Sequence, residues 1–227
     1  TGRPAMAEAL VRWKRPDKGI IMPGSFLPLF ERNGFISKLD AFVWEEVFRK
    51  LAAMRRLGLE PLPVSVNISR LDFYSGGVCS CLSALTEKYG AAPQSLRLEI
   101  TESTYSRDPY TIGQAIADLH KRGFTLMVDD FGSGWSTLET IKDAPVDMMK
   151  IDKRLVDDIG SSARARIVLD SVIQMAQTIG MTVIAEGVEA TEQADVLRRM
   201  KCDLVQGFLY SKPLPWDEFV KLLSRNS

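Results

Sequence analysis

Segments with the pattern of a β-strand alternate with segments of helical periodicity along the whole chain, at intervals of roughly 20–40 residues. This alternation predicts a parallel sheet with helical connections, either an open doubly wound sheet or a (β/α)8 barrel. No GxGxxG motif follows the first strand, so a dinucleotide-binding sheet has no support. Seven strands are predicted, each marked by one polar residue: Glu8, Asn67, Glu99, Asp129, Lys150, Glu186 and Gln206.

The strand that contains Glu8 differs from the others, because Glu8 comes early in its predicted range of residues 7–13. To bring Glu8 to the same edge as the other polar residues, this strand would have to run antiparallel to the rest. A hairpin turn at residues 1–3, joining it to a strand before residue 1, would achieve this. That preceding strand would also be the eighth strand of a barrel.

The composition is that of an ordinary globular chain, without a surplus of either charge. Lys and Arg together number 29 among the 227 residues, as do Asp and Glu. Such a chain has no field that attracts a nucleic-acid polymer or a membrane surface, and no apolar run suits direct membrane insertion. No secretory signal opens the chain, and three cysteines are too few for a disulfide framework. A cytoplasmic location is therefore expected, with a tether to a membrane or sensor domain outside this chain left open.

The chain has a single histidine, His120, in the last turn of a predicted helix. There it would complement the helix dipole. Ser-His-Asp, Cys-His and multi-histidine metal chemistry are therefore disfavoured. An enzyme built from this sequence would have to use carboxylates, an amide, a lysine and metal-activated water.

Polar residues occupy late positions in six predicted strands, from Asn67 to Gln206. Because the carboxyl ends of parallel strands meet at one edge of a barrel, these side chains are expected to converge on one site. Each residue taken alone also fits a turn, a helix cap or a solvated ion pair. Equivalent positions in six separate βα units favour the shared site.

The segment LMVDDFGSG places Asp129 and Asp130 where a buried strand ends, before Gly132 and Gly134. Neighbouring strand residues point to opposite faces, so the two carboxylates can share a site only if the strand has ended and the chain is turning. That arrangement suits an oxygen-ligated metal, although Asp and Gly are also ordinary turn residues. The other strand ends favour the metal interpretation.

The residue types at this edge suit two Mg²⁺ or Mn²⁺ ions, which prefer oxygen ligands. The expected ligands are Glu8, Asn67, Glu99 and Asp129 for one ion, with Asp130 and Glu186 for the other. Two such ions can clamp a phosphodiester, while Lys150 and Arg12 would offset the remaining phosphate charge. Ca²⁺ is expected to permit binding but inhibit turnover, because its larger and looser shell positions water poorly.

Short motifs follow one another over nearly the whole chain: EALVRW at residues 8–13, FLPLFE at 26–31, VNIS at 66–69, EITE at 99–102, DDFGSG at 129–134, KID at 150–152, AEGVE at 185–189, QGF at 206–208 and SKPLP at 211–215. Together, and in this order, they resemble the EAL domain of bacterial cyclic di-GMP phosphodiesterases. The resemblance implies an α/β fold, a (β/α)8 TIM-like barrel with one antiparallel strand, whose first strand is missing from this chain. It also implies that residues 1–227 form a single EAL-type phosphodiesterase domain, a fragment of a larger signalling protein.

The function implied by the resemblance is hydrolysis of cyclic di-GMP to linear pGpG with two divalent ions, in a homodimer. The residues implied in catalysis are Lys150, Glu186, Glu8 and Asp129, with Asp129 bridging the ions. The residues expected to contact substrate are Leu10, Arg12, Pro28, Asp152, Glu189 and Gln206. The residues expected to couple the site to a dimer interface are Glu102, Phe131, Gly132, Ser133 and Gly134.

Two classes of function stay open: a metal-dependent phosphodiesterase, and a non-catalytic cyclic di-GMP receptor or dimerisation module. Receptors of this family typically lose the EAL glutamate or the paired aspartates. Here Glu8, Asp129 and Asp130 are all present, which favours the enzyme. The departures from the family pattern include Arg15 in place of His and Ser133 in place of Thr, and neither is an expected metal ligand.

Overall fold

The computed structural model describes residues 2–74, 76–133 and 145–226. The strands in these ranges are β1 (Ala7–Glu8), β2 (Trp13–Arg15), β3 (Gly19–Ile21), β4 (Val64–Asn67), β5 (Leu96–Thr101), β6 (Thr125–Phe131), β7 (Met148–Ile151), β8 (Thr182–Ala185) and β9 (Leu204–Val205). The α-helices there are α1 (Leu27–Asn33), α2 (Ile36–Arg56), α3 (Arg70–Tyr74), α4 (Val78–Tyr89), α5 (Glu102–Arg107), α6 (Pro109–Lys121), α7 (Lys153–Val156), α8 (Ala163–Thr178), α9 (Thr191–Arg199) and α10 (Trp216–Asn226). None of the helices in these ranges is long and apolar enough to cross a membrane.

Seven of the strands form one sheet in the order β1-β4-β5-β6-β7-β8-β9, and β2 and β3 form an antiparallel hairpin. The pairs β1–β4, β6–β7, β7–β8 and β8–β9 are parallel. Strand order in this sheet follows chain order, as expected when successive parallel strands are joined by crossover connections. The predicted α/β class, with seven strands in one parallel sheet, is confirmed.

The strand that carries Glu8 runs parallel to its neighbour, so the antiparallel orientation expected for residues 7–13 is wrong. Ala7 pairs with Val64 and Glu8 with Ser65, and the strand ends there. The chain leaves the sheet because the backbone of Trp13–Arg15 pairs with Gly19–Ile21 in the local hairpin. Glu8 therefore lies at the carboxyl end of its strand without any antiparallel turn.

The contacts divide the chain into two compact units. The first unit comprises Thr1–Leu98, Asp118–Phe124 and Val220–Ser227, and the second comprises Glu99–Ala117 and Thr125–Phe219. In the first unit, α2 packs on α4 and β4 through side chains that recur every three or four residues. The buried residues of α2 are Ile36, Asp40, Trp44, Val47, Phe48, Leu51 and Met54.

Asp40 is the polar member of this buried stripe. Its Oδ2 accepts a hydrogen bond from the Ser69 amide at 3.1 Å, and Asp72 Oδ2 accepts from the same amide at 3.0 Å. Burial, followed by the neighbouring Asp72, raises the pKa of Asp40 to about 8. A proton is thus retained between two carboxyl groups that are both removed from water.

In the second unit, the central strands are buried on both faces, as expected for a parallel sheet covered by helices. All four residues of β7 are buried, and α8 packs on β8 through Leu169, Ile173 and Ala176. Each buried Leu, Ile or Met side chain among them contributes about 1.5–3 kcal/mol relative to an exposed one. These strands therefore form a rigid support for the polar residues at their carboxyl ends.

Gly207 lies two residues after the end of β9, against the backbone of Val188. A Cβ atom at this position would overlap the Val188 carbonyl and amide. The two segments also exchange backbone hydrogen bonds: the Val188 amide donates to the Gln206 carbonyl at 3.0 Å, and the Leu209 amide donates to the Val188 carbonyl at 3.0 Å. Gly207 is required because the two backbones approach too closely for any side chain.

Candidate active site

Lys150 is the centre of an acidic cluster in the second unit. It belongs to β7 and is only 1% exposed. Its Nζ lies 3.2 Å from Glu99 Oε1, 3.2 Å from Asp129 Oδ1 and 2.5 Å from Glu186 Oε1. The three carboxylates come from β5, β6 and the residue that follows β8. The structure thus brings four of the predicted site residues together.

The parallel register explains why Lys150 and Glu186 meet. Lys150 pairs with Ile184 and Ile151 with Ala185, so β7 and β8 end side by side. The Glu186 amide continues the ladder by donating to the Ile151 carbonyl at 3.0 Å. The Glu186 side chain therefore leaves the backbone at the carboxyl edge of the sheet, where the sites of parallel α/β folds are built.

Asp129 and Asp130 share a site through an irregularity within β6, so the expectation that the strand ends before them is wrong. Val128 pairs with Met149 and Phe131 with Ile151, so three steps along β6 match two along β7. Asp130 takes the left-handed conformation there, with φ of 57°, which Asp tolerates better than most residues. The extra residue cancels the alternation that would send the two side chains to opposite faces.

Three of the carboxylates could hold a metal ion. Asp129, Asp130 and Glu186 each offer an oxygen, and these oxygens lie within 4.8 Å of one another. Two of them, Asp129 and Glu186, also pair with the ammonium group of Lys150, as Glu99 does. Carboxylate oxygens are the preferred ligands of hard divalent cations, so the donor set fits such an ion.

The pKa of Asp130 is consistent with a site for a divalent cation. Burial raises the pKa of Asp130, and Asp129 and Asp152 raise it further, whereas Lys150 and Arg154 lower it. Burial and the neighbouring carboxylates together therefore outweigh the attraction of the nearby cations. A bound divalent cation would relieve this repulsion and favour the ionised forms.

Glu8 and Asn67 lie in the first unit, at the carboxyl ends of the neighbouring parallel strands β1 and β4. The Asn67 carbonyl accepts a hydrogen bond from Trp44 Nε1 at 3.1 Å, which ties the end of β4 to α2. Asn67 thus occupies the late strand position that the sequence predicts, whereas Glu8 ends a short parallel strand and does not begin a long antiparallel one. Their participation in the metal site stays a prediction.

The residues expected to contact substrate are spread over both units. In the first unit, Leu10 and Pro28 are exposed, and Arg12 is half-buried with its guanidinium on the Val11 carbonyl. In the second unit, Asp152 caps α7 by accepting from the Arg154 amide at 2.8 Å.

Glu189 and Gln206 complete the predicted substrate-binding set in the second unit. Glu189 Oε1 lies 3.1 Å from Lys153 Nζ. The Gln206 amide donates to the Ala185 carbonyl at 2.8 Å. Gln206 therefore lies beside the strand that leads to Glu186.

The residues expected to couple the site to a dimer surround the end of β6. Glu102 begins α5 and is buried, and Phe131 ends β6 and is buried. Gly132 has φ of 90°, and a Cβ there would overlap the side chain of Leu155. The Ser133 amide donates to the Asp130 carbonyl at 3.0 Å, which closes the turn after the aspartates. Gly134 and the helix predicted at residues 135–141 lie outside the described residues.

Two residues that contact the segment after Glu186 are given no structural role of their own by the sequence interpretation. Gly207 is the first, and its position after Gln206 signals a turn but not the contact with Val188. Gln193 is the second. It comes three residues after Ala190, the cap of α9, and a Gln at that position is a known signal of a helix start.

The chain is thus an α/β domain with a candidate divalent-metal site. The site consists of carboxylates and one lysine at the carboxyl ends of parallel strands. Comparison with known protein families identifies the class more specifically than the fold does. The family model of the EAL domain matches residues 1–213. The chain belongs to the EAL domain family.

Named relatives agree with this assignment. The cyclic di-GMP phosphodiesterase NbdA of Pseudomonas aeruginosa is 37% identical over 211 residues, which are 92% of this chain and 27% of NbdA. The oxygen sensor protein DosP of Escherichia coli K12 is 37% identical over 218 residues, 96% of this chain and 27% of DosP. The chain thus spans about a quarter of the length of these relatives.

A solved structure supports the fold. The c-di-GMP complex of the PaMucR phosphodiesterase superposes with a TM-score of 0.87 at 32% identity. The match covers 93% of this chain and 86% of that chain. The fold expected from the resemblance is therefore confirmed.

Proposed function

We propose that this chain hydrolyses cyclic di-GMP to linear pGpG in bacterial second-messenger signalling, with two divalent ions, Mg²⁺ or Mn²⁺. The observation that carries the proposal is the group Asp129, Asp130 and Glu186, whose oxygens lie within 4.8 Å of one another beside the buried Lys150. The similarity to NbdA, a cyclic di-GMP phosphodiesterase, and to PaMucR in its c-di-GMP complex supports the choice of substrate.

The proposed ligands are the set that the sequence predicts. The residues that would hold one ion are Glu8, Asn67, Glu99 and Asp129, and Asp129 would be shared with a second ion held by Asp130 and Glu186. Ions bound there would neutralise phosphodiester charge and make the attacking water more acidic. The backbone positions of Glu99 and Asp129 are fixed because most residues of β5 and β6 are buried.

Lys150 acts in the proposal through its fixed position. Its Nζ is within 3.2 Å of carboxylates from three strand ends, so it holds Glu99, Asp129 and Glu186 in one arrangement. The same ammonium group can stabilise the charge that develops on the phosphate in the transition state. The proposed substrate contacts are Leu10, Arg12, Pro28, Asp152, Glu189 and Gln206.

The oligomeric state and the cellular location of the protein are part of the same proposal. We propose that the chain is the EAL domain of a longer cytoplasmic signalling protein, and that it works as a homodimer. Residues Glu102, Phe131, Gly132, Ser133 and Gly134 would couple the interface to the metal ligands, because Asp130 and Ser133 close one turn. Activity per chain should fall on dilution through dimer dissociation.

The test is incubation of the purified protein with cyclic di-GMP and either Mg²⁺ or Mn²⁺, followed by chromatography of the nucleotides. We expect linear pGpG with either ion, none after chelation by EDTA, and inhibition by Ca²⁺. The receptor alternative gives binding of cyclic di-GMP in every condition without product. Intact substrate after long incubation with both metals would overturn the enzyme proposal.

A further inference from the structure

Gln193 is a buried polar side chain that the proposed chemistry does not use. It lies in the first turn of α9 and is 9% exposed. Its Oε1 accepts hydrogen bonds from the amides of Glu189 at 2.9 Å and Ala190 at 3.0 Å. Its Nε2 donates to the Val156 carbonyl at 3.4 Å. Two N–H donors on one atom identify that atom as the oxygen, so both ends of the side-chain amide have a defined partner.

These bonds complete the attachment of residues 186–190, the segment that begins with the metal-site glutamate. At its start, the Glu186 amide donates to the Ile151 carbonyl. In its middle, Val188 exchanges backbone hydrogen bonds with Gln206 and Leu209. At its end, the acceptor is the Gln193 side chain. Loss of that side chain would leave two amides without their acceptor.

The nearby ion pair cannot replace this attachment. Lys153 Nζ lies 3.1 Å from Glu189 Oε1, but both side chains are about half exposed, at 46% and 51%. Exposed ion pairs contribute little because water and salt screen them. The buried amide of Gln193 is therefore the stronger restraint on the end of the segment.

A simple helix cap does not account for all of these contacts. In a capping box, the side chain of the third helical residue accepts a hydrogen bond from the backbone amide of the cap residue. The side chain of the cap residue in turn accepts one from the backbone amide of the third residue. The cap here is Ala190, which has no side-chain acceptor, and Gln193 also binds the Glu189 amide, one residue before the cap. Gln193 thus restrains the segment that leads back to Glu186 as well as the helix itself.

We propose that Gln193 is a positioning residue for the Glu186 carboxylate, and that it raises the affinity of the Asp129, Asp130 and Glu186 group for divalent metal. This inference rests on the metal site of the proposed function. Gln193 contacts no reacting atom and acts through the backbone of residues 186–190. Groups that orient metal ligands commonly change affinity by about 10–100-fold, and the lower value is expected for an indirect contact.

The test compares Gln193→Met with the matched control Gln177→Met. Met keeps the shape of Gln and removes its amide. Gln177 on α8 also makes two hydrogen bonds, to the Lys201 carbonyl at 2.9 Å and Asp203 Oδ2 at 3.0 Å, but none to residues 186–190. Mn²⁺ alone is titrated into each protein and followed by electron paramagnetic resonance. We expect the dissociation constant to rise about tenfold in Gln193→Met and less than about twofold in the control.

Amide hydrogen exchange supplies a readout that does not depend on metal. Exchange at Glu189 and Ala190 should accelerate in Gln193→Met and remain unchanged in Gln177→Met. Gln193→Glu keeps the oxygen acceptor and should retain most of the Mn²⁺ affinity. If Gln193→Met does not fold, Gln193→Asn, which retracts the same amide by one methylene, should weaken Mn²⁺ binding in the same direction.

Several outcomes overturn the inference. One is wild-type Mn²⁺ affinity in both Gln193→Met and Gln193→Asn, and another is unchanged exchange at Glu189 and Ala190. An equal loss of affinity in Gln177→Met would show a general loss of stability instead of positioning. A wild-type protein that binds no Mn²⁺ overturns the metal site together with this inference. Normal Mn²⁺ binding without hydrolysis of cyclic di-GMP overturns the proposed function alone.

Discussion

Lys150 and Glu186 form the closest ion pair of the acidic cluster, with 2.5 Å between Nζ and Oε1. Their side chains are 2% and 20% exposed, so the pair is largely removed from water. A buried ammonium group keeps its charge only while opposite charges face it. Lys150 therefore supplies part of the positive charge that the surrounding carboxylates require, and a bound metal would supply more.

The first prediction concerns the positive charge that Lys150 and a bound metal would both supply to the carboxylates. Lys150→Met removes the charge with little change in shape and should destabilise the metal-free protein by about 3–5 kcal/mol, because buried carboxylates lose their counter-charge. Mg²⁺ or Mn²⁺ should restore part of the loss. The measurement is the unfolding temperature in EDTA and in each metal. Lys121→Met is the control, since its pair with Asp118 is exposed and should change stability by less than about 1 kcal/mol. Equal destabilisation with and without metal would contradict the shared role.

The second prediction tests two of the proposed metal ligands, Asp129 and Glu8. Asp129→Asn should abolish turnover and weaken Mn²⁺ binding, because a shared ligand loses its charge. Glu8→Gln, in the first unit, should also abolish turnover if Glu8 is a ligand. Product formation and Mn²⁺ titration check both variants. Wild-type turnover in Glu8→Gln would remove Glu8 from the proposed ligand set.

The third prediction concerns the close approach of Gly207 to Val188. Gly207→Ala places a methyl group into the Val188 backbone, and backbone cannot move aside as a flexible side chain can. We expect a loss of at least about 1–3 kcal/mol, measured by chemical denaturation. Gly113→Ala is the matched control, because nothing lies within 4 Å of a Cβ at that position in α6. Ala is the better helix former, so the control should gain up to about 1 kcal/mol. Similar stability in both variants would argue against the contact.

The fourth prediction uses the buried Asp40. Because burial and Asp72 raise its pKa from 3.8 to about 8, the folded state keeps a proton that the unfolded state releases above pH 4. Its contribution is therefore fully present below the unfolded pKa and is lost as the pH rises toward 8. Asp40→Asn cannot ionise and can still accept from the Ser69 amide.

We expect Asp40→Asn to be more stable than the wild type at pH 7, by on the order of 2–4 kcal/mol, and equally stable near pH 4. Denaturation across this pH range checks the expectation. Asp118→Asn, at an exposed position, should show no such trend. A stability difference that does not depend on pH would rule out the shared proton.

Much of the fold follows from local pattern. The βα alternation predicts seven strands in a parallel sheet, because parallel strands need crossover connections that helices supply. The direction of β1, by contrast, does not follow from local pattern. The alternating residues 7–13 read as one long strand, yet only Ala7 and Glu8 join the sheet. The hairpin of Trp13–Arg15 with Gly19–Ile21 takes the remaining backbone bonds.

In the candidate site, too, some features follow from the sequence and others only from the tertiary structure. The sequence predicts that Glu99, Asp129, Lys150 and Glu186 lie at strand ends, and the structure brings these four together. It does not predict the bulge that turns Asp130 toward the same site, since the bulge is defined by register against β7. The contacts of Gln193 are equally hidden, because they depend on how α9 packs.

By itself, the sequence determined which polar residues end the strands and that those ends share one edge, because strand length, turn residues and chain order are local properties. Only the tertiary structure decided the parallel direction of β1, the register shift in β6 and the partners of Lys150 and Gln193. These features depend on contacts between residues that are distant in the chain. Their free energies come from burial and hydrogen bonding across strands and helices, which no local pattern encodes.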